Sequence, residues 1–289
     1  MTERRGAAPA DPGASELPSP RLREWGAPGT SELASLRLHE WGDPAGQPLV
    51  CLHGLGGHGA RFARLAGELS DRRVLAPDLR GHGGSEWLPP WDTATHVADV
   101  LAAAGAAGVE RCDWVGYSFG GRVLAALAAA APEQVARACL LDPALSLPAS
   151  VCLEHAEAER ADESFATVDE AIEAELATGL LLRTPRATLA ADTELHLARR
   201  ADGRLAYRYS RAAAIAAWSE MARTPPPVAP VPTLLVVGER SWIPVDEARL
   251  RAALGDRLET RTVPGGHSVL WDAPEETAAA VAAFLADRA

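Results

Sequence analysis

Six short strand-like segments punctuate this chain: "PLVCLHG" (48–54), "RVLAPDLRGHG" (73–83), "CDWVGYSFGG" (112–121), "ARACLLDP" (136–143), "PTLLVVGE" (232–239) and "LETRTVPGGH" (258–267). Short apolar runs closed by turn residues read as strands. Helical stretches separate them, such as "GRVLAALAAAAPEQV" after the third. Strand, helix, strand at this spacing implies right-handed crossovers and a mostly parallel sheet covered by helices on both faces, an α/β class.

One region breaks the rhythm. Residues 145–223 are rich in Ala, Leu and Glu with helical spacing in "VDEAIEAELATGLLL", and "RTPPPVAPVPT" then returns the chain stiffly to the sheet. The expected organisation is a disordered tail over 1–20, a core over 21–144 and 224–289, and an inserted helical cap over 145–223. At 289 residues and 47% hydrophobic content the chain can bury one large core. Near its start, "RLREWGAP" (21–28) is echoed sixteen residues later by "RLHEWGDP" (37–44). Two copies are too few for a repeat array and read as two strands near one sheet edge.

The charge excludes some functions. The net charge is −11, and residues 151–203 hold twelve Asp or Glu against five Arg. Nucleic-acid binders need basic patches, so no nucleic acid is expected as a partner. The chain contains neither Lys nor Asn, which removes Schiff-base chemistry, lysine general bases and any phosphate loop ending in Gly-Lys. Cys51, Cys112, Cys139 and Cys152 stand singly, without metal-ligand spacing, and read as buried, reduced thiols of a cytoplasmic protein. The N-terminus lacks the apolar core of a secretory signal, and no apolar run nears the roughly 20 residues a membrane span needs. His53, His58 and His82 do not form an H-x-H-x-D-H cluster, so no metal is expected.

Three stretches carry chemistry. "GYSFGG" matches G-x-S-x-G between a strand and a helix, where Gly116 and Gly120 leave room for a sharp turn that forces Ser118 outward. "CLHGLGGHG" ends a strand in a glycine-rich loop, and the backbone amides of Leu55 and Phe119 are the candidate oxyanion donors. That loop fails as a dinucleotide fingerprint, because no acidic residue follows at the right distance. "VPGGHSVLWDAPEE" places His267 after the last strand, where it can reach an exposed serine as general base.

These stretches, with "DLRGHGGSE" and the proline-led strand at 232, resemble the α/β-hydrolase superfamily in its capped, esterase-like branch, over roughly residues 34–289. The resemblance implies an eight-stranded, mostly parallel sheet with a helical lid, Ser118 as nucleophile, His267 as base and no cofactor. It also marks Asp78, Arg80 and His82 as structural. In that family the loop after the strand equivalent to "PTLLVVG" presents an aspartate, and here the position holds Ser241. A serine accepts the imidazole N–H but brings no charge to stabilise an imidazolium.

The acid is therefore sought elsewhere, first at Asp142. Parallel strands end at one edge, and "ARACLLD" delivers Asp142 beside the nucleophile; some members of the superfamily carry their acid there. The competing reading is a helix N-cap, with Pro143 at the first helical position. Glu239 and Asp246 rank behind. Trp87, Trp91, Trp242 and Trp271 are expected near the pocket, with His53, Trp242 and Trp271 lining it.

The expected function is hydrolysis of an ester, thioester or lactone of a small, largely apolar molecule through an acyl-enzyme, by a monomer or homodimer without membrane partners. Two alternatives stand beside it. One is a cofactor-free cyclase, lyase or epimerase using the same pocket, and the other is a homologue that binds ligand without turnover.

Overall fold

The computed structural model describes residues 18–25 and 34–286. Along the chain the first elements are β1 (Arg21–Trp25), β2 (Leu36–Gly42), β3 (Pro48–Leu52), α1 (Ala63–Glu68), β4 (Arg73–Pro77), α2 (Thr93–Ala106), β5 (Cys112–Tyr117), α3 (Phe119–Ala130) and β6 (Val135–Leu141). Then come α4 (Ala149–Ala158), α5 (Val168–Ala177), α6 (Arg186–His196), β7 (Leu197–Arg199), β8 (Leu205–Tyr207) and α7 (Arg211–Met221). The chain closes with β9 (Thr233–Gly238), α8 (Glu247–Leu254), β10 (Leu258–Val263), α9 (Val269–Asp272) and α10 (Pro274–Ala286).

Eight strands form one sheet in the order β1-β2-β4-β3-β5-β6-β9-β10. From β4 to β10 every pairing is parallel, while β2 runs antiparallel to both β1 and β4. Each parallel strand is apolar throughout because alternate residues enter different cores. In β3, Val50 and Leu52 pack with Val100, Leu124 and Leu127 of α2 and α3, whereas Leu49 and Cys51 pack with Leu65, Val281 and Phe284 of α1 and α10. All four cysteines are free and buried.

The two echoed segments pair with each other at the sheet edge. Arg21 faces Glu40 and Glu24 faces Arg37 in the β1–β2 register, and Arg37 Nη2 meets Glu24 Oε1 at 2.7 Å. Glu40 is buried among Arg21, Arg23 and Arg73. The expected tail over 1–20 falls largely outside the described residues. Within its last part, the Pro18 carbonyl accepts a 2.9 Å hydrogen bond from the Trp41 indole.

Between β6 and β9 the chain leaves the sheet and builds α4 to α7. The insertion is not wholly helical: β7 and β8 form an antiparallel ribbon around the turn at Asp202 and Gly203, where Gly203 has φ 84°. A ribbon of three residues per strand is too short to show alternation in sequence. The two ends of the insertion lie side by side. Leu147 N donates to the Met221 carbonyl at 2.8 Å, and the Ser146 hydroxyl donates to the Arg223 carbonyl at 3.0 Å. The buried guanidinium of Arg122 donates to the carbonyls of Leu145 and Thr224. No helix among the described residues is long and apolar enough to cross a membrane.

Candidate active site

At the end of β5 the backbone reverses within one residue. Ser118 has φ 54° and ψ −118°, a strained conformation for a side chain with a Cβ, and α3 begins immediately after it. The turn closes because its flanks are glycine: a Cβ on Gly116 would meet the Gly120 carbonyl oxygen at 2.5 Å, and one on Gly120 would meet the Leu52 oxygen at 2.2 Å. The strand next door holds the turn in place. Ser118 N donates to the Leu141 carbonyl at 3.1 Å, and Ala144 N donates to the Ser118 carbonyl at 3.0 Å.

The neighbouring strand β6 ends in Asp142, wholly buried and with φ 42°. No helix starts at Pro143, since α4 begins at Ala149, so the N-cap reading of Asp142 fails. Its carboxylate instead gathers donors. Gly238 N reaches Oδ1 at 3.1 Å, the Ser241 hydroxyl donates to Oδ2, and His267 Nδ1 lies 2.6 Å from Oδ2. On its other side His267 Nε2 is 2.9 Å from Ser118 Oγ. The imidazole thus bridges the serine and the aspartate, packed against Tyr117 and Trp242.

The loop that carries His267 is anchored through Asp272. That carboxylate accepts from the amides of Gly266 at 2.8 Å and Arg183 at 2.9 Å and from the Thr184 hydroxyl at 2.7 Å, tying the loop to the insertion. Burial alone would raise its pKa, but these donors hold it below the ordinary aspartate value.

Neither Glu239 nor Asp246 reaches the imidazole. Glu239 is exposed, and Asp246 caps α8 by accepting from Arg249 N at 2.9 Å. Ser241, at the position where the resembled family has its acid, is not a substitute acid. Its hydroxyl donates to Asp142 while accepting from Ile243 N at 3.1 Å. Its part in the site was not foreseen, and "GERSWIP" carries no signal for it beyond the missing carboxylate.

The glycine-rich loop after β3 is wired from below. His53 is completely buried: its Nδ1 donates to the Gly54 carbonyl at 2.8 Å and its Nε2 accepts from Leu79 N at 2.8 Å. This corrects its assignment to the pocket wall. Burial and the neighbouring His82 drop its pKa well below the ordinary value, so the ring is neutral. His82 Nε2 accepts from Gly56 N at 3.2 Å, and Asp78 Oδ1 accepts from Gly59 N at 2.7 Å. Arg80 forms a buried pair with Asp99 at 2.6 Å. Among the described residues the amides of Leu55 and Phe119 meet no protein acceptor. Phe119 is the first residue of α3, where no intrahelical partner exists.

A cavity of about 310 Å³ opens over Ser118 and His267 and is walled largely by the insertion. Leu55, Trp242 and Trp271 line it as expected. Trp87 and Trp91 do not; Trp87 is an exposed surface residue, and Trp218 of α7 takes a place on the wall instead. The cavity also has a charged part unseen in the sequence, with Arg61, Glu175 and Asp192. Arg61 lies over the Trp271 ring at 4.5 Å and pairs with Asp192 at 3.2 Å.

A serine on a strand-to-helix turn, bridged by histidine to a buried carboxylate at the edge of a mostly parallel sheet, points to one fold family, and residues 49–280 match the model of the Alpha/beta hydrolase family. The chain belongs to the alpha/beta hydrolase family. This alpha/beta hydrolase is 37% identical over 246 residues to the lipase LipV of Mycobacterium tuberculosis, spanning 83% of this chain and 94% of that protein. A pimeloyl-[acyl-carrier protein] methyl ester esterase of Chromobacterium violaceum is 37% identical over 150 residues, 51% of this chain and 58% of its own. Among solved structures, E-2-(acetamidomethylene)succinate hydrolase superposes with a TM-score of 0.80 over 92% of this chain and 99% of its own, at 24% identity. This alpha/beta hydrolase is accordingly a hydrolase with relatives named as lipases and esterases.

Proposed function

We propose that this alpha/beta hydrolase is a serine hydrolase of small carboxylic esters, working through an acyl-enzyme on Ser118. The observation that carries the reading is the bridge of His267 between Ser118 Oγ at 2.9 Å and Asp142 at 2.6 Å. In the first half-reaction Ser118 Oγ attacks the ester carbonyl carbon while its proton passes to His267 Nε2. Asp142 holds the other ring nitrogen and stabilises the imidazolium. The amides of Leu55 and Phe119 receive the oxyanion, which a preorganised pair of backbone donors favours over the flat carbonyl. As the intermediate collapses, His267 returns the proton to the departing alcohol. Water then repeats the sequence, releasing the acid and restoring the Ser118 hydroxyl.

The insertion over residues 145–223 serves in this reading as the cap that shapes the acyl and alcohol sites. The names of the relatives, a lipase and a methyl ester esterase, favour a carboxylic ester over a thioester or lactone. A cavity near the lower end of the size range for small-molecule sites favours a short ester. A lyase or epimerase reading drew its force from the lack of an acid in the usual loop, and a carboxylate beside His267 removes that motive.

The test is covalent labelling with a fluorophosphonate, together with turnover of p-nitrophenyl esters. Ser118→Ala should abolish both. Asp142→Asn should lower kcat by up to about 10⁴, as loss of the acid does in serine proteases, and adding Ser241→Asp should recover part of it. Ester hydrolysis persisting in Ser118→Ala would refute the acyl-enzyme, and an unimpaired Asp142→Asn would refute the acid.

A further inference from the structure

Where α6 meets the loop after β3, three side chains converge that the hydrolytic chemistry does not use. Asp192 and His196 stand four residues apart on α6 and so share one helix face. His58 comes from the loop that carries Leu55. All three are buried, and one donor atom from each lies within 4.8 Å of the others. Asp192 and His196 also line the cavity.

Their hydrogen bonding is incomplete. His196 is 1% exposed, yet neither ring nitrogen has a partner. His58 Nε2 lies 3.0 Å from Asp192 Oδ1 but outside hydrogen-bond geometry. Buried polar groups are nearly always satisfied, and two orphaned imidazoles side by side, with ring centroids 4.6 Å apart, ask for an occupant.

We propose that His58, Asp192 and His196 form a binding site for a zinc-class divalent transition ion, which clamps α6 to the loop carrying Leu55. Two imidazoles and one carboxylate are ligands such ions favour. Bonds of about 2.0–2.1 Å in a tetrahedron put ligand atoms about 3.3 Å apart, so ring rotations close the set from its present spacing. The fourth position faces the cavity and takes water.

The surroundings are consistent with this. Burial and the neighbouring His58 and Arg61 push the His196 pKa well down, leaving a neutral ring with a free lone pair. Arg61 donates to Asp192 from Nε and Nη2 and orients the carboxylate, as outer partners of metal ligands do. Glu175 faces the same guanidinium and offsets its charge. Tyr207 packs against His196 at 5.2 Å. The site was hidden in the sequence because His58 lies in the core and its partners lie in the insertion.

This site is independent of the acyl-enzyme reading, and its test does not depend on turnover. Untagged full-length protein, stripped by a chelator and desalted, is titrated with Co²⁺. A visible d–d band saturating at one equivalent, bleached by Zn²⁺, is expected, with a melting temperature that rises with Zn²⁺ but not with Mg²⁺. His58→Gln and His196→Gln, each shown folded by circular dichroism, should weaken Co²⁺ binding about tenfold or more. Asp192→Asn also strips Arg61 of its partner, so the histidine variants decide. The proposal is overturned if no band appears at millimolar Co²⁺, or if binding survives both histidine substitutions.

Discussion

At the scale of single residues, the site turns on where one carboxylate sits. Asp142 is held by Gly238 N, the Ser241 hydroxyl and His267 together, so Ser241 acts on the histidine only through the aspartate and is a positioning residue. A hydrogen bond to a charged group is worth about 1.5 kcal/mol. Ser241→Ala should therefore lower kcat about tenfold with little change in KM, and Ser241→Thr, which keeps a hydroxyl, should restore most of it. Equal kcat in Ser241→Ala and wild type would mean that Gly238 N and His267 alone fix the carboxylate. Ser118, His267 and Asp142 were legible in the sequence because each sits at a strand end, where a parallel sheet collects side chains at one edge. Ser241 as a donor was not legible, since its partner lies on a different strand. His53 was misread because a histidine at a strand end looks the same in sequence whether its ring faces a cavity or is consumed by two backbone groups.

At the scale of elements, the strands were legible because burial on both faces writes continuous apolar runs, as in "PTLLVVG" and "ARACLL". The β7–β8 ribbon and the charged part of the cavity were not, because they arise from contacts between the insertion and the core. The β5–α3 turn is the least forgiving join. In Gly120→Ala the new methyl would meet the backbone oxygens of Leu52 and His53 at 2.2 and 2.6 Å, and rigid strand β3 has no slack to yield. Urea denaturation should show a loss of at least about 2 kcal/mol. Gly105→Ala, in α2 with nothing within 4 Å of the added methyl, should instead stabilise by about 0.5–1 kcal/mol. Equal stabilities for the two variants would show that the turn can relax.

At the scale of the whole molecule, buried neutral histidines set the acid limit of the fold. Burial pushes His82 down to about 4 and His96 down to about 3 from an ordinary 6.5. The unfolded chain takes up protons below pH 6.5 while the folded chain refuses them. Their contribution is thus fully present above pH 6.5 and is lost as pH falls towards 4 and 3, on the order of 3 kcal/mol each. The unfolding free energy should fall across that window, and His96→Gln should flatten the slope; a flat profile between pH 7 and 4 would contradict the buried neutral state. A different property follows from the way the insertion is tethered. Its entry at Leu145–Leu147 and its exit at Met221–Thr224 are fastened to one another and to Arg122, so the sheet meets the whole excursion as a single closed joint. Such a joint makes the insertion an exchangeable cartridge: its contents can be rewritten, and the cavity with them, while the scaffold that aligns Ser118, Asp142 and His267 keeps its registers.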